Sequence, residues 1–368
     1  MPTAKLNSAK SITYGSVVDP RIIEANGRRS ARPRSPVSGA GPEPVVSHIR
    51  VEEDSAGQRL DNFLLKLLKG VPKTHVYRVI RSGEVRVNKG RAGADTRLAI
   101  GDEVRVPPVR TAVRVADGDA SAVPPREFAT LFEDECLIAI DKPAGVAVHG
   151  GSGVSFGVIE QLRRARPEAR FLELVHRLDR ETSGVLLLAK KRSALLALQA
   201  QMRPGDKAVV KRYAALVQGA WPARHKVIDV ALHKYLDAQG ERRVRSVEAD
   251  HAEGRRSVTL VAVAERFGVD WSLLDVTLKT GRTHQIRVHL ADAGHPVIGD
   301  DKYGDRTLGR SLSRGEAVPG CRFDRMFLHA GRLSLLHPAS LEPMTLEAPL
   351  PPACERLLDA LRHTGRHE

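Results

Sequence analysis

The sequence predicts an α+β protein in which a small module precedes a larger domain. Between residues 48 and 108, two apolar patterns of helical spacing are followed by short alternating patterns, which is typical of a small unit of helices and strands. In the larger domain, expected over 127–362, strand-like and helix-like segments mix without the regular alternation of a doubly wound parallel sheet. This domain should therefore contain a mixed, mostly antiparallel sheet with flanking helices.

The first 47 residues show no sustained apolar periodicity. Residues 27–44, GRRSARPRSPVSGAGPEP, are rich in Arg, Pro, Ser and Gly, a composition that buries too little apolar surface to offset the entropy of ordering. We therefore expect 1–47 to be a disordered, basic N-terminal extension. This region also lacks the continuous apolar segment of a secretory signal.

In the small module, the first helix is predicted by apolar residues at helical spacing: Leu60, Phe63, Leu64, Leu67 and Leu68. The second helix is predicted by a shorter apolar set: Val76, Val79 and Ile80. Short alternating segments flank an Asn88-Lys89-Gly90 turn and predict strands. Residues 109–126 contain Asp, Gly, Ser and a Pro-Pro pair without periodicity, so we interpret them as a linker.

The elements of the larger domain follow from local apolar patterns. Strands are predicted at 136–141, 185–189, 209–217 and 273–278. Helices are predicted at 156–164, 193–202 and about 283–293.

The chain is strongly basic, with 58 Lys and Arg against 44 Asp and Glu and a formal net charge of +14. Such a surplus favours a nucleic-acid partner, because basic side chains release the counterions condensed on a polyanion. A soluble protein that is basic for no such reason is the alternative. No apolar run is long enough to span a bilayer.

The three cysteines, Cys136, Cys321 and Cys354, are far apart and form no C-x-x-C pair. This spacing argues against a disulfide framework and a thiolate zinc site, and it fits a reducing, cytoplasmic compartment. The sequence also contains no Walker loop, no G-x-G-x-x-G after a strand and no H-E-x-x-H, so nucleotide- and zinc-dependent enzymes of those types are not indicated.

A polar loop runs directly into a hydrophobic strand at 175–191, VHRLDRETSGVLLLAKK, and contains Asp179. Loops anchored on rigid strands commonly carry catalytic groups. A single aspartate between arginines is, however, more often part of a surface ion pair or a turn. The residues alone leave both interpretations open.

The segment HRLDRETSG resembles the signature of the RluA-type family of pseudouridine synthases. Three further segments match this family in the expected order: VVKRYAALVQG with Lys211-Arg212-Tyr213, TGRTHQIRVHLADAGHPVIGDDKYG at 280–304, and FLHAGRLSLLHP at 327–338. DKPAGVAVHGGSGVSFGVIE at 141–160 also fits, and its GGSGVSFGVIE portion is most similar to the branch that modifies large-subunit ribosomal RNA. The module at 48–108 resembles the S4 RNA-binding domain.

The resemblance implies an enzyme that isomerises uridine to pseudouridine in large-subunit, 23S, ribosomal RNA. This reaction breaks the N1–C1′ bond, turns the uracil and forms a bond at C5, without net redox change or loss of a group. No metal, nucleotide or redox cofactor is therefore expected. The essential carboxylate is assigned by resemblance to Asp179, acting as a nucleophile or as a base that removes a sugar proton. The sequence does not decide between these two roles.

By the same resemblance, Arg287 would keep the Asp179 carboxylate ionised in a closed pocket. Tyr213 would stack on the target base and take part in removing the C5 proton. Ile286 and Leu328 would line the uracil pocket, although core packing explains these two residues nearly as well.

Arg177 matches the family residue that fills the gap left by the flipped nucleotide, which would offset part of the cost of flipping. In the S4-like module, basic residues are expected to contact phosphates: Arg59, Lys73, Arg78, Arg81 and Lys89. Scaffold hydrogen bonding, rather than metal binding, is expected for three histidines: His176, His284 and His289.

Two alternatives to a large-subunit enzyme follow from the same features. One is a pseudouridine synthase acting on transfer RNA or on another ribosomal site. The other is a non-catalytic S4-type RNA-binding factor in ribosome assembly, which would have no use for Asp179, Tyr213 and Arg287 together. Because the family pattern places one active site in each chain, a monomer without a membrane partner is expected.

Overall fold

The computed structural model describes the following residues: 45–52, 55–68, 71–109, 123–150, 156–203, 209–237 and 240–364. The expected disordered extension at 1–47 and the expected linker at 109–126 therefore fall largely outside the described residues. Within the described part of the chain, no helix is both long and apolar enough to cross a membrane.

The described residues of the small module form two helices packed on a four-stranded antiparallel sheet. The helices are α1 (Leu60–Leu67) and α2 (Lys73–Arg81). The strands, in sheet order, are β1 (Ser47–Arg50), β4 (Glu103–Val106), β2 (Arg86–Val87) and β3 (Gly90–Arg91). The predicted apolar residues of both helices lie in one core cluster with Leu98, Val104 and Val106, except Leu67, which is exposed.

The turn between β2 and β3 has the geometry of a tight hairpin. Asn88 and Lys89 both have positive φ, of 49° and 66°. Two successive residues with positive φ match a type I′ turn, whose twist suits the flanking antiparallel strands. The Asn88-Lys89-Gly90 pattern therefore marks the turn that the sequence predicts.

The larger domain is built on one mixed sheet of eleven described strands. Nine form a continuous path, in the order β11 (Arg242–Val247), β10 (Val227–Leu236), β12 (Arg255–Phe267), β13 (Trp271–Leu278), β9 (Val210–Gln218), β14 (Leu328–Leu336), β8 (Ser183–Ala189), β6 (Leu137–Lys142) and β5 (Thr130–Glu133). Two short strands attach beside this path: β7 (Glu173–Leu174) on β8 and β15 (Pro343–Glu347) on β14.

Among the described strands, only β8 and β14 pair in parallel. Ser183 lies opposite His329, and Gly184 lies opposite Ala330. This pairing of β8 with β14 is called the parallel seam below. Antiparallel ladders extend from it on both sides, through β6 in one direction and through β9 in the other. The predicted mixed, mostly antiparallel sheet is confirmed.

In the described part of the larger domain, five helices flank the sheet: α3 (Val158–Ala165), α4 (Arg192–Gln201), α5 (Gln285–Asp292), α6 (Arg306–Arg314) and α7 (Pro352–Thr364). Helix α3 packs on one face of the β6–β8 half and α4 packs on the other. Helix α5 covers the β9–β13 half through Ile286 and Leu290. The predicted helices at 156–164 and 193–202 have bounds within two residues of those of α3 and α4. Helix α5 likewise begins two residues later than predicted.

Gly184 lies at the parallel seam and cannot carry a side chain there. Its φ is +109°, and a Cβ atom would lie 2.3 Å from the carbonyl oxygen of Ala330 on β14. Both the backbone conformation and the close approach of the two strands therefore require glycine at the start of β8.

We expect Gly184→Ala to lower the free energy of unfolding by roughly 2–3 kcal/mol, because β8 and β14 must separate to accept the methyl group. The same substitution at Gly309, inside α6, meets no atom within 4 Å. Gly309→Ala should instead raise the stability by up to about 1 kcal/mol. Equilibrium unfolding in urea measures both effects, and wild-type stability of Gly184→Ala would contradict the close approach described here.

Candidate active site

The loop that carries Asp179 is fixed to the sheet at both ends. Residues 175–182 connect β7 to β8, whose seven residues are all buried. At the start of the loop, the ring Nε2 of His176 accepts the backbone N–H of Leu187 at 3.1 Å. Burial lowers the pKa of His176 to about 3, so the ring is neutral and able to accept this hydrogen bond.

A buried lysine fixes the middle of the loop. Lys142, fully buried at the end of β6, donates to two carbonyls of the 143–146 turn at 2.8 Å each and to the carbonyl of Arg180 at 3.0 Å. Burial lowers the pKa of Lys142 to about 7, while the carboxylates of Glu181 and Asp179 act in the opposite direction. Three acceptors match the three N–H bonds of an ammonium group, so Lys142 ties the Asp179 loop to the neighbouring turn.

Arg287 lies between two carboxylates in the buried centre of the site. Its Nε and Nη2 each donate to Asp300 at 2.7 Å, and its Nη1 lies 3.4 Å from Oδ2 of Asp179. Asp300 also accepts the backbone N–H groups of Lys302 and Tyr303. Burial opposes the charge on Asp300, but the guanidinium and these N–H groups hold its pKa below the ordinary value. Arg287 is thus held by Asp300 while one N–H edge faces Asp179.

His284 immediately precedes α5 and has a left-handed backbone with φ of +52°. The hydroxyl of Tyr303 accepts the backbone N–H of Val244 at 3.1 Å and lies 2.8 Å from Nδ1 of His284. On the other side of the ring, Nε2 of His284 lies 3.9 Å from Oδ2 of Asp179. Burial lowers the pKa of His284, although the Asp179 charge opposes this effect.

One cavity of about 310 Å³ brings together all six site residues predicted in the larger domain: Arg177, Asp179, Tyr213, Ile286, Arg287 and Leu328. They come from the Asp179 loop and from β9, α5 and β14, which meet at the parallel seam. The volume is at the lower end of the roughly 300–1,000 Å³ of typical ligand pockets. The chemical roles of these residues stay predictions.

The apolar wall of this cavity also belongs to the protein core. Ile286 and Leu328 are only 4% and 3% exposed and pack in the core cluster under α5, so they both fill the core and line the cavity. Tyr213 packs against the core clusters on both sides of the seam. Burial, together with the negative charge of Asp179, raises the pKa of Tyr213, so its hydroxyl stays protonated.

The five basic residues predicted to bind phosphates in the small module do not converge on one cavity. Lys89 lines a groove with Arg86 and Arg105, which the sequence reasoning missed. The other four lie outside this groove: Arg59, Lys73, Arg78 and Arg81. The guanidinium of Arg59 is engaged by Asp61 through two hydrogen bonds of 3.1 and 2.8 Å.

Sequence reasoning also missed three polar residues that support Asp179: Lys142, Asp300 and Tyr303. All three lie in segments quoted for the family resemblance, DKPAG and GDDKYG. For His284, scaffold hydrogen bonding was predicted, and its ring lies 2.8 Å from the Tyr303 hydroxyl. The signal that could have found Lys142 is a lysine placed directly after the strand-like CLIAID. A charged residue that continues a buried strand needs partners for its charge.

Among the described residues, one group has the spacing of metal ligands: Asp134, Cys136 and His337. His337 Nδ1 accepts the backbone N–H of Ser340 at 3.1 Å, so the ring proton lies on Nε2, which donates to Asp134 at 2.7 Å. Asp134 also accepts two backbone N–H groups. These hydrogen bonds account for the cluster as a support of the β5–β6 turn.

Family models match both parts of the chain. The model for the RNA pseudouridylate synthase family matches residues 136–292, and the S4 domain model matches residues 58–104. Two relatives named ribosomal large subunit pseudouridine synthase C are similar over most of their length. The protein of Escherichia coli strain K12 is 49% identical over 327 residues, which is 87% of this chain and 98% of the relative. The protein of Yersinia pestis is 51% identical over 322 residues, which is 87% and 97%.

The chain belongs to the RNA pseudouridylate synthase family. A solved structure of human RNA pseudouridylate synthase domain containing 4 is also similar, with a TM-score of 0.51 and 27% identity over 64% of this chain and 93% of that chain. The predicted family, the S4 module and the isomerase class of this synthase are confirmed.

We expect Lys142→Met to destabilise the synthase and to slow its reaction. The substitution removes the donor of the Pro143 and Val146 carbonyls, at a cost of about 1–3 kcal/mol each. It also removes one of the two hydrogen bonds to the Arg180 carbonyl, next to Asp179, and leaves the one from the Gly145 backbone N–H. Lys226→Met, at an exposed lysine, is the matched control. Urea unfolding and turnover should both fall for Lys142→Met and not for the control; equal stability of the two variants would contradict the anchoring role.

Proposed function

We propose that this synthase converts specific uridines to pseudouridine in large-subunit, 23S, ribosomal RNA, with Asp179 as the essential carboxylate. The observation that carries the proposal is the convergence of Asp179, Arg287 and Tyr213 on one cavity in a chain of this family. The names of the relatives at 49% and 51% identity support the ribosomal substrate.

The surroundings of Asp179 suit a carboxylate that must react in a closed site. Arg287 stabilises the ionised form, and because Asp300 holds two of its nitrogens, the guanidinium needs little rearrangement. Asp179 then attacks as a nucleophile or removes a sugar proton as a base, and both roles require this ionised state. Nε2 of His284 lies 3.9 Å from the same oxygen.

Tyr213 suits the later part of the reaction, when the C5 proton leaves. Its hydroxyl is hard to ionise, because burial and, to a smaller extent, the negative charge of Asp179 raise its pKa. If Asp179 forms a covalent bond, the contribution of its charge is lost, whereas the contribution of burial remains. The Tyr213 ring, between the apolar walls from Ile286 and Leu328, also offers a face on which uracil can stack.

Arg177 is exposed at the mouth of the cavity, which supports a role in filling the space left by the flipped nucleotide. We infer that the S4 module adds phosphate contacts through exposed basic residues that include Lys73 and Lys89. The proposed substrate is consistent with a cytoplasmic enzyme that works as a monomer and needs no cofactor.

We expect Asp179→Asn to abolish pseudouridine formation while RNA binding is largely retained, because the amide can neither attack nor accept a proton. The measurement is pseudouridine mapping of large-subunit RNA that lacks the modification, after treatment with wild type or variant. Asp250→Asn, at an exposed turn residue, provides the same chemical change as a control and should keep wild-type activity.

Turnover by Asp179→Asn would refute the assignment of the essential carboxylate. Wild type that modifies transfer RNA but not large-subunit RNA would move the substrate to the tRNA alternative. Wild type that binds RNA tightly but forms no pseudouridine in either RNA would favour the assembly-factor alternative.

A further inference from the structure

Three exposed arginines form a ridge on α6, outside the cavity described above. The ridge consists of Arg306, Arg310 and Arg314, spaced four residues apart. This spacing places their side chains along one helix face, with about 6 Å of helical rise between successive positions. Leu312, which is buried, anchors another face of α6 in the core cluster shared with α7.

The ridge is unfavourable for the helix itself. Like charges four residues apart repel each other, and Arg306 lies at the positive end of the helix dipole, where acidic residues are favoured. The helix sequence RTLGRSLSR contains no Asp or Glu, and Gly309 lowers its helix propensity further. A helix whose residues go against charge spacing, the helix dipole and helix propensity at the same time indicates a role other than folding.

The ridge arginines are also weakly engaged by the described part of the chain. Arg306 donates to the backbone carbonyl of Asp301 at 3.3 Å, and Arg314 lies 3.8 Å from Glu316. The Arg310 side chain has no hydrogen bond or ion pair with any described residue. The carboxylate of Asp305 is used to cap α6 through two backbone N–H groups. The three guanidinium groups are therefore available to an anionic partner.

The ridge continues directly from the active-site region. Arg306 lines a groove of about 550 Å³ whose walls also include Asp179, Arg287 and Lys302. A strand whose uridine enters the cavity at Asp179 can leave through this groove and reach the first arginine of the ridge. Further along α6, Arg310 and Arg314 follow Arg306 at intervals of four residues.

We propose that Arg306, Arg310 and Arg314 bind successive phosphates of the RNA strand that leaves the active-site groove. The identification of the bound strand as RNA rests on the proposed function, whereas the binding of an anion by the three arginines rests on α6 alone. The planar guanidinium fork matches phosphate geometry. Such contacts hold the RNA in position without reading its sequence, so the ridge supplies affinity and register to the synthase.

The test compares two triple variants with equal loss of charge. Arg306→Gln/Arg310→Gln/Arg314→Gln removes the ridge, and the control Arg170→Gln/Arg224→Gln/Arg356→Gln removes exposed arginines that lie outside the groove. The probe is an unmodified transcript of large-subunit ribosomal RNA. Its Kd is measured over a range of KCl concentrations, and the single-turnover rate is measured at saturating enzyme.

The ridge variant should bind the transcript at least about tenfold more weakly at low salt, and the slope of log Kd against log salt should fall by roughly 2. The single-turnover rate at saturating enzyme should fall less than the affinity does, because the ridge does not touch the reacting atoms. The control variant should keep the wild-type Kd and slope. A third variant with lysine at all three ridge positions should keep most of the slope.

An unchanged slope in the ridge variant, or equal weakening in both glutamine variants, would overturn the proposal. Equal loss with lysine and with glutamine would also overturn it, since the cause would then be the fold of α6 and not its charge. If the wild-type protein binds the transcript with a salt slope that depends on the ridge but forms no pseudouridine, the proposed function is contradicted and the proposal for the ridge stands.

Discussion

The site depends on one buried guanidinium shared by two carboxylates. Arg287 is 5% exposed, and burying a charge to this degree is costly unless it is paired and hydrogen-bonded. Asp300 provides the pairing through two short hydrogen bonds, and backbone N–H groups satisfy Asp300 in turn. The remaining edge of the Arg287 guanidinium can therefore face Asp179 while the rest of the group stays paired with Asp300. This arrangement fixes the guanidinium group that faces the Asp179 carboxylate at 3.4 Å.

The fold brings these groups together at the parallel seam of the sheet. The Asp179 loop enters β8, and β14 begins beside it with Leu328, while β9 supplies Tyr213 from the next position. Gly184 permits the close approach of β8 and β14. Lys142 then holds the loop against the adjacent turn. Rigid strands thus position side chains that come from sequence segments more than a hundred residues apart.

Local sequence patterns predicted most elements whose apolar character is continuous, such as the buried strand at 185–189 and the helix that begins near Thr283. Strand β14 was not predicted as a strand, because Gly331 and polar residues interrupt its apolar pattern. Its parallel pairing with β8 is a non-local contact that no local period encodes. The left-handed backbone of His284 and the pairing of Asp300 with Arg287 likewise depend on tertiary contacts. The family resemblance named six residues that line one cavity, whereas the roles of Lys142, Asp300 and Tyr303 in supporting them emerged only from the structure.

A double-mutant cycle on the single-turnover rate of pseudouridine formation tests most directly whether Asp300 acts through Arg287. The variants are Arg287→Lys, which keeps the charge but loses the guanidinium fork, Asp300→Asn, and both together. The account predicts that each single variant is slow and that the double variant is about as slow as Arg287→Lys alone, because Asp300 then has no fork to hold. Rate losses that multiply in the double variant would contradict the account, since the two residues would then act independently.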